Sequence, residues 1–399
     1  MRADRHPGES VPAAIGHLDG VEALRAIAVT WVVLFHYLVV REAARIDDGW
    51  NAWIAASPTL NAIVRNGYLG VDLFFLVTGF LLVQPWIRAA ATGAPRPSTA
   101  DFYRRRVRRI VPAYYVQLVL LFAVFVPLVH GMSFVRANPG FIAGNAVAHA
   151  TFLHYTTPLT SASLNVNGAL WTLALEAQFY LLLPLLAPLF VRRPWICGLA
   201  MVALAAIWRA LAASGLDALV AWEMAIGARW QVPEAAIRHL LATQLPGYAA
   251  HFALGMGLGV AWFRHRDRAV GRVEATAWLL ALGAALGVLD WAYARGGGAY
   301  VGVWGSWLAT LACLGIAFAT LLRASPFVRA VLLRAPVLAV GRMSYSIYLY
   351  HLPLLYLALR FRLFEGSPWA LPAYLALTLV AAWISYRLVE RPFLRRGRL

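Results

Sequence analysis

Four ionisable side chains sit inside apolar stretches of this 399-residue chain: His36, Asp72, Glu176 and His351. An ionisable group within a membrane span is costly, faces the bundle interior and marks a functional pathway. Imidazole is suited to taking a proton from a hydroxyl near neutral pH. A neighbouring carboxylate can fix its tautomer and stabilise the imidazolium that forms. Those parts suffice to make an alcohol attack a thioester, with no serine or cysteine in a nucleophile motif. The plainer alternative is that each group only hydrogen-bonds its neighbours and fixes helix packing. Matched depth argues against it: counting ~1.5 Å of rise per residue from each span's midpoint puts His36 ~9 Å, Asp72 and Glu176 ~7 Å, and His351 ~6 Å toward the outer face. The four are therefore expected around one pocket.

Arg25 precedes His36 by eleven residues, almost three helical turns, which sets both on one helix face ~16 Å apart. Taken alone it reads as a snorkelling arginine of the positive-inside kind. Ser98 to Pro112 reads STADFYRRRVRRIVP, a short basic helix with Ser98 and Asp101 as its N-terminal cap and Pro112 as its stop. Arg104 with Arg108, and Arg105 with Arg109, form two stripes able to grip the phosphates of a nucleotide-like donor, or equally to rest on anionic headgroups. Tyr103, Tyr114 and Tyr115 fit an interfacial aromatic belt.

The elements that position these groups are membrane helices. Hydrophobic residues make up 61% of the chain and charged ones only 13%, about half the charged share of a soluble domain. Apolar runs near 21–40, 68–87, 112–130, 171–190, 195–213, 244–263, 274–293, 304–323, 337–357 and 372–389 predict an all-α, polytopic integral membrane protein of about ten transmembrane helices in one bundle. The expected layout is a cytoplasmic tail over 1–17, a membrane domain over 18–390 and a basic tail over 391–399. The stretch from Phe141 to Tyr155 is short enough for a re-entrant or interfacial segment.

The formal charge is +17, all 35 basic residues being arginine. Most lie in short loops and tails, where basic residues set orientation, so the charge points to the bilayer and not to nucleic acid. Both termini are expected on the cytoplasmic side. Residues 1–16 lack the apolar centre of a cleavable signal peptide. Cys197 and Cys313 are far apart in apolar stretches, which excludes a CxxC redox pair or thiolate metal site. No metal cluster is expected: His149 and His154 read as solvated or interfacial, and His251 as a packing residue without an evident partner. No paired, glycine-interrupted spans of the transporter kind occur, although a transporter or flippase relaying protons through the same groups is the leading alternative from another class.

The motifs also resemble those of a known family over nearly the whole chain. LDGVEALRAIAVTWVVLFH (18–36), GYLGVDLFFLVTGFLL (67–82), FYRRRVRRIVPAYY (102–115), LWTLALEAQFYLLLP (170–184), GRMSYSIYLYHLPLL (341–355) and LVERPF (388–393) stand in the order and spacing of the membrane-bound acyltransferase type 3 family. The resemblance implies transfer of an acyl group, often acetyl, from cytoplasmic acyl-CoA to a hydroxyl of a cell-envelope glycan or other acceptor, in a bacterial inner membrane. It implies no tightly bound cofactor; acyl-CoA, acetyl-CoA in particular, is the donor substrate. His36 is then the catalytic base, with Glu176 and Asp72 shaping the catalytic site. Arg25, Arg105, Arg108, Arg109, Trp171, Tyr348 and His351 serve substrate binding or positioning. Thr78 and Thr172 stand where serine is common in the family, and Ala177 where an acidic or bulky residue often follows the glutamate. Because the chain ends ten residues after Val389, the form without an appended hydrolase-like domain is expected. Acylation of a small molecule such as a macrolide-like antibiotic is the other enzymatic alternative.

Overall fold

The computed structural model describes residues 13–46, 49–265, 332–363 and 365–395, together with isolated positions between 274 and 330. Eight long helices organise these residues: α1 (Ala13–Ala43), α2 (Leu69–Thr92), α3 (Thr99–Leu120), α4 (Trp171–Arg192), α5 (Pro194–Ser214), α6 (Leu245–His265), α7 (Ala335–Arg360) and α8 (Ala370–Ser385). Six of the ten expected spans are long and apolar enough to cross a membrane: Asp19–Ala43, Pro58–Thr92, Thr99–His130, Gly168–Arg192, Pro194–Ser214 and Ala370–Leu394. Two more, near 244–263 and 337–357, are α6 and α7; they reach 21 and 26 residues, with polar side chains such as His251, Ser344 and Ser346 buried along them. The expected spans at 274–293 and 304–323 lie outside the described residues.

Local chemistry sets the helix ends. The Ser98 hydroxyl accepts the Asp101 amide hydrogen at 3.3 Å, the cap its spacing predicts. Pro112 does not stop this helix. It sits inside α3, which runs on through a π-helical turn at Leu121–Phe125 to His130, so the basic stretch and the third span form one rod. A π-turn also carries α8 through Tyr386–Glu390 into Arg391–Arg395, so the expected basic tail begins as helix.

Between membrane helices, close backbone approach replaces water-driven burial as the packing force. α1 packs on α2 and α7, α2 on α6, α6 on α5, and α7 on α8. Glycines make this possible, Gly341 and Gly255 among them. A Cβ on Gly341 of α7 would overlap the Glu22 carbonyl of α1, and one on Gly255 of α6 would overlap the Leu76 carbonyl of α2. Aromatic rings fill the remaining space, with Phe179 of α4 stacked on Phe252 of α6 at 3.8 Å. This scaffold holds α1, α2, α4 and α7 around a common interior.

Candidate active site

A cavity of about 120 Å³ opens between α1, α2, α3, α4 and α7, room for a few water molecules or the short end of an acyl group. Three arginines line it: Arg25 from α1, and Arg106 and Arg109 from α3. One carboxylate faces them, Glu176 of α4. Its oxygens accept from the Thr78 hydroxyl at 3.0 Å and the Tyr180 hydroxyl at 3.2 Å. Arg25 lies 3.4 Å from Glu22, and Arg109 lies 3.9 Å from the buried Glu390. Ser346 of α7 donates to the other Glu390 oxygen. The wall is thus rich in guanidinium groups, which suits an anionic ligand such as a phosphate.

Neither His36 nor His351 is in the cavity wall; they form a pair of imidazoles behind it, reached through Tyr348. His36 Nδ1 and His351 Nε2 are 3.2 Å apart. His351 Nδ1 lies 2.8 Å from the Tyr348 carbonyl oxygen, which can only accept, so Nδ1 carries the hydrogen. In neutral His351, Nε2 then holds a lone pair, and His36 Nδ1–H donates to it. That leaves His36 Nε2 with a free lone pair, the state a general base requires. His351 is fully enclosed, whereas His36 is half-buried. Tyr348 joins the pair to the cavity: it lines the cavity wall, its ring lies 5.6 Å from that of His351, and its hydroxyl accepts from Thr172 at 3.0 Å and donates to the Ala169 carbonyl.

The four groups read as sharing one pocket do not all meet. Asp72 points away from the cavity into the α2–α6 contact, where its Oδ1 lies 3.4 Å from His251 Nε2, both residues being fully buried. Arg209 of α5 completes this second cluster: its Nε donates to the Gly247 carbonyl at 3.0 Å and its guanidinium lies over the Tyr248 ring. Equal depth fixes a layer but not the direction a helix face points, and Phe75, packed on Trp171, Tyr248 and Phe252, stands between the two clusters. His251 therefore has a partner, contrary to its reading as a lone packing residue.

Other expected site residues fall in different surroundings. Arg105 is exposed, and neither it nor Arg108 is in the cavity wall; Arg106, which the two-stripe reading passed over, is. The wall selects residues three apart on α3, because Arg106 and Arg109 face inward one turn from each other. Trp171 stacks on Tyr155 at 4.9 Å behind the Phe75 ring. His149 and His154 are not solvated but fully buried and stacked at 4.1 Å. Tyr114 is likewise buried, donating to the His149 carbonyl. Arg209 and Glu390 carried a usable signal, since each is a charged side chain in or beside an apolar run. Among the described residues, no group of three or more His, Cys, Asp or Glu is placed to hold a metal ion.

Comparison with known proteins identifies the family. An acyltransferase domain matches residues 18–387. The O-acetyltransferase OatA of Staphylococcus aureus is 26% identical over 96% of this chain, and the peptidoglycan O-acetyltransferase OatA of Listeria monocytogenes is 24% identical over 96%. The chain spans 58% and 56% of the length of these two relatives. Nodulation protein 10 of Rhizobium leguminosarum is 29% identical over half of the chain. No solved structure matches at a comparable level. With the arginine-lined cavity, the helix-borne histidine pair and a match covering residues 18–387, the chain belongs to the acyltransferase domain family of membrane proteins.

Proposed function

We propose that this protein moves an acetyl group from cytoplasmic acetyl-CoA to a hydroxyl of a cell-envelope carbohydrate, in a bacterial inner membrane with both termini cytoplasmic. The observation that carries the reading is the hydrogen-bond chain from the Tyr348 carbonyl through His351 to His36, which leaves His36 Nε2 as a proton acceptor. The names of the O-acetyltransferase relatives support the transferred group, and that of the Listeria relative supports a glycan acceptor.

In this mechanism the phosphates of the donor rest on Arg25, Arg106 and Arg109, and the acyl end enters the cavity. The acceptor hydroxyl gives its proton to His36 Nε2 as its oxygen attacks the thioester carbonyl. The carbon–sulfur bond breaks, and the CoA thiolate takes the proton from the imidazolium. Neutral His351 stabilises that imidazolium by accepting from Nδ1, while Glu176, held by Thr78 and Tyr180, balances the positive wall.

The test is mass spectrometry of envelope glycans from cells with the gene, without it, and with a folded His36→Ala variant. Acetyl esters should be present only in the first. Unchanged glycan acetylation in the variant would remove His36 from the reaction. Unchanged glycans in the deletion strain, with CoA still released from acetyl-CoA by the purified protein, would redirect the search to a small-molecule acceptor.

A further inference from the structure

A second imidazole is seated against a hydroxyl, outside the cavity. His149 Nε2 lies 2.7 Å from Ser163 Oγ, and both residues are fully buried. His149 Nδ1 lies 2.8 Å from the Asn145 carbonyl oxygen, so Nδ1 carries the hydrogen and Nε2 accepts from the serine. Hydroxyl, base and a third group orienting the base are the parts of nucleophilic catalysis.

The backbone under the hydroxyl is strained. Ser163, Leu164 and Asn165 take φ of 49°, 56° and 56°, three consecutive left-handed residues without a glycine. Each costs about 1–2 kcal/mol, and such strain persists where the surroundings impose it, most often at functional sites. Here His130 donates to the Leu164 carbonyl at 2.7 Å, and Asn167 donates to the Leu349 carbonyl at 2.9 Å. A second ring, His154, stacks on His149 and donates from Nε2 to the Leu170 carbonyl, leaving a buried Nδ1 lone pair without a partner. Packing alone calls for neither a second imidazole nor an unmatched acceptor, which costs about 1–3 kcal/mol. The segment leads straight into α4, and Asn167 ties it to α7 two residues before His351.

We propose that Ser163 is an acylatable serine, with His149 as its base, that carries an acyl group as an ester between a donor and an acceptor hydroxyl. Ser163 Oγ attacks the carbonyl of an activated ester or thioester, its proton passes to His149 Nε2, and the leaving alkoxide or thiolate collects that proton. In the second half an acceptor hydroxyl attacks the serine ester, and its proton passes through His149 back to Ser163 Oγ. The left-handed turn opens to admit the donor, since the hydroxyl is enclosed when it is closed. The identity of the natural donor rests on the acyl-CoA reading above; the serine's reactivity does not.

The experiment therefore uses two probes on the full-length protein in detergent: p-nitrophenyl acetate, and radiolabelled acetyl-CoA. With the ester probe, a burst of p-nitrophenolate stoichiometric with protein is expected, and peptide mass spectrometry should find the acetyl group on Ser163. Ser163→Ala removes that adduct, Ser163→Cys replaces it with a thioester, and His149→Gln slows its formation by about 10²-fold. A peptide map of the wild-type protein with no acetyl on Ser163 overturns the proposal whatever the variants do, as does a burst unchanged in a folded Ser163→Ala protein. Acetylation of Ser163 by the ester but not by acetyl-CoA keeps the serine and removes acetyl-CoA as its donor.

Discussion

His36 Nδ1 lies 3.2 Å from His351 Nε2, and the two residues are 315 positions apart on α1 and α7. Because His351 Nδ1 is committed to the Tyr348 carbonyl, the direction of the hydrogen bond between the imidazoles is set, and with it the nitrogen of His36 that is free to accept a proton. His36→Ala should lower acetyl transfer by about 10²–10⁴-fold, the usual contribution of a positioned base. His351→Phe, which removes the acceptor but keeps the bulk, should lower kcat by about 10²-fold with KM nearly unchanged. Steady-state kinetics of the purified variants with acetyl-CoA decide both.

Donor binding should separate arginines that are neighbours in sequence. Arg106 and Arg109 line the cavity, whereas Arg105 is exposed to the outside. A hydrogen bond to a charged group is worth about 1.5–3 kcal/mol, so Arg106→Met and Arg109→Met should each weaken CoA binding by roughly 10–100-fold. Arg105→Met should leave it within about twofold, since exposed ion pairs contribute little. Calorimetric titration of CoA into the three variants gives the comparison; equal losses at all three would place the phosphates outside the cavity.

Glu176 is predicted to matter through charge and through hydrogen bonding separately. Glu176→Leu leaves the Thr78 and Tyr180 hydroxyls without their acceptor and should cost about 1–3 kcal/mol of stability. Glu176→Gln keeps one acceptor oxygen, and the second hydroxyl must turn to accept from the new amide, so its thermal unfolding in detergent should fall less than that of the Leu variant while its activity is lost. A Gln variant with full activity would show that the carboxylate serves the fold alone.

The Asp72–His251 pair should behave as a structural unit. Both groups are buried, so removing one partner takes a buried polar contact from the other, at a cost of about 1–3 kcal/mol. His251→Phe and Asp72→Asn should each destabilise the protein, and the double variant should show a coupling of about 0.5–3 kcal/mol. CoA affinity should be unchanged throughout, because neither residue borders the cavity.

The α1–α7 contact at Gly341 has a sharper prediction. A Cβ there meets the Glu22 carbonyl, so the helices must separate to accept a side chain. Gly341→Val should cost about 1–3 kcal/mol in thermal unfolding, the usual range for overpacking. It should also lower activity more than stability alone explains, since the same two helices hold His36 and His351 together. Full activity in a destabilised Gly341→Val protein would uncouple the two.

Some of this organisation is written in the chain alone. Long apolar runs and scarce charge dictate membrane helices, because only a structure that satisfies its own backbone hydrogen bonds survives in lipid. The same scarcity makes each buried ionisable residue conspicuous, so His36, Glu176, His351 and Arg25 were legible as candidates, and the spacing of Ser98 and Asp101 gave the helix cap that forms. What the chain alone did not decide is which faces meet. Counting residues along a helix yields depth with little error but rotation with much, since each residue turns the face by about 100°. That is why Asp72 turned toward His251 and not toward Glu176, and why Arg106 took the inward place that the stripe of Arg105 had been given. Pro112 within a continuous α3, and the burial of His149 against Ser163, likewise follow from neighbours that are remote in sequence. Backbone chemistry and hydropathy act locally and can be read along the chain; the glycine contacts that set each helix's rotation against its neighbour exist only once the bundle is assembled.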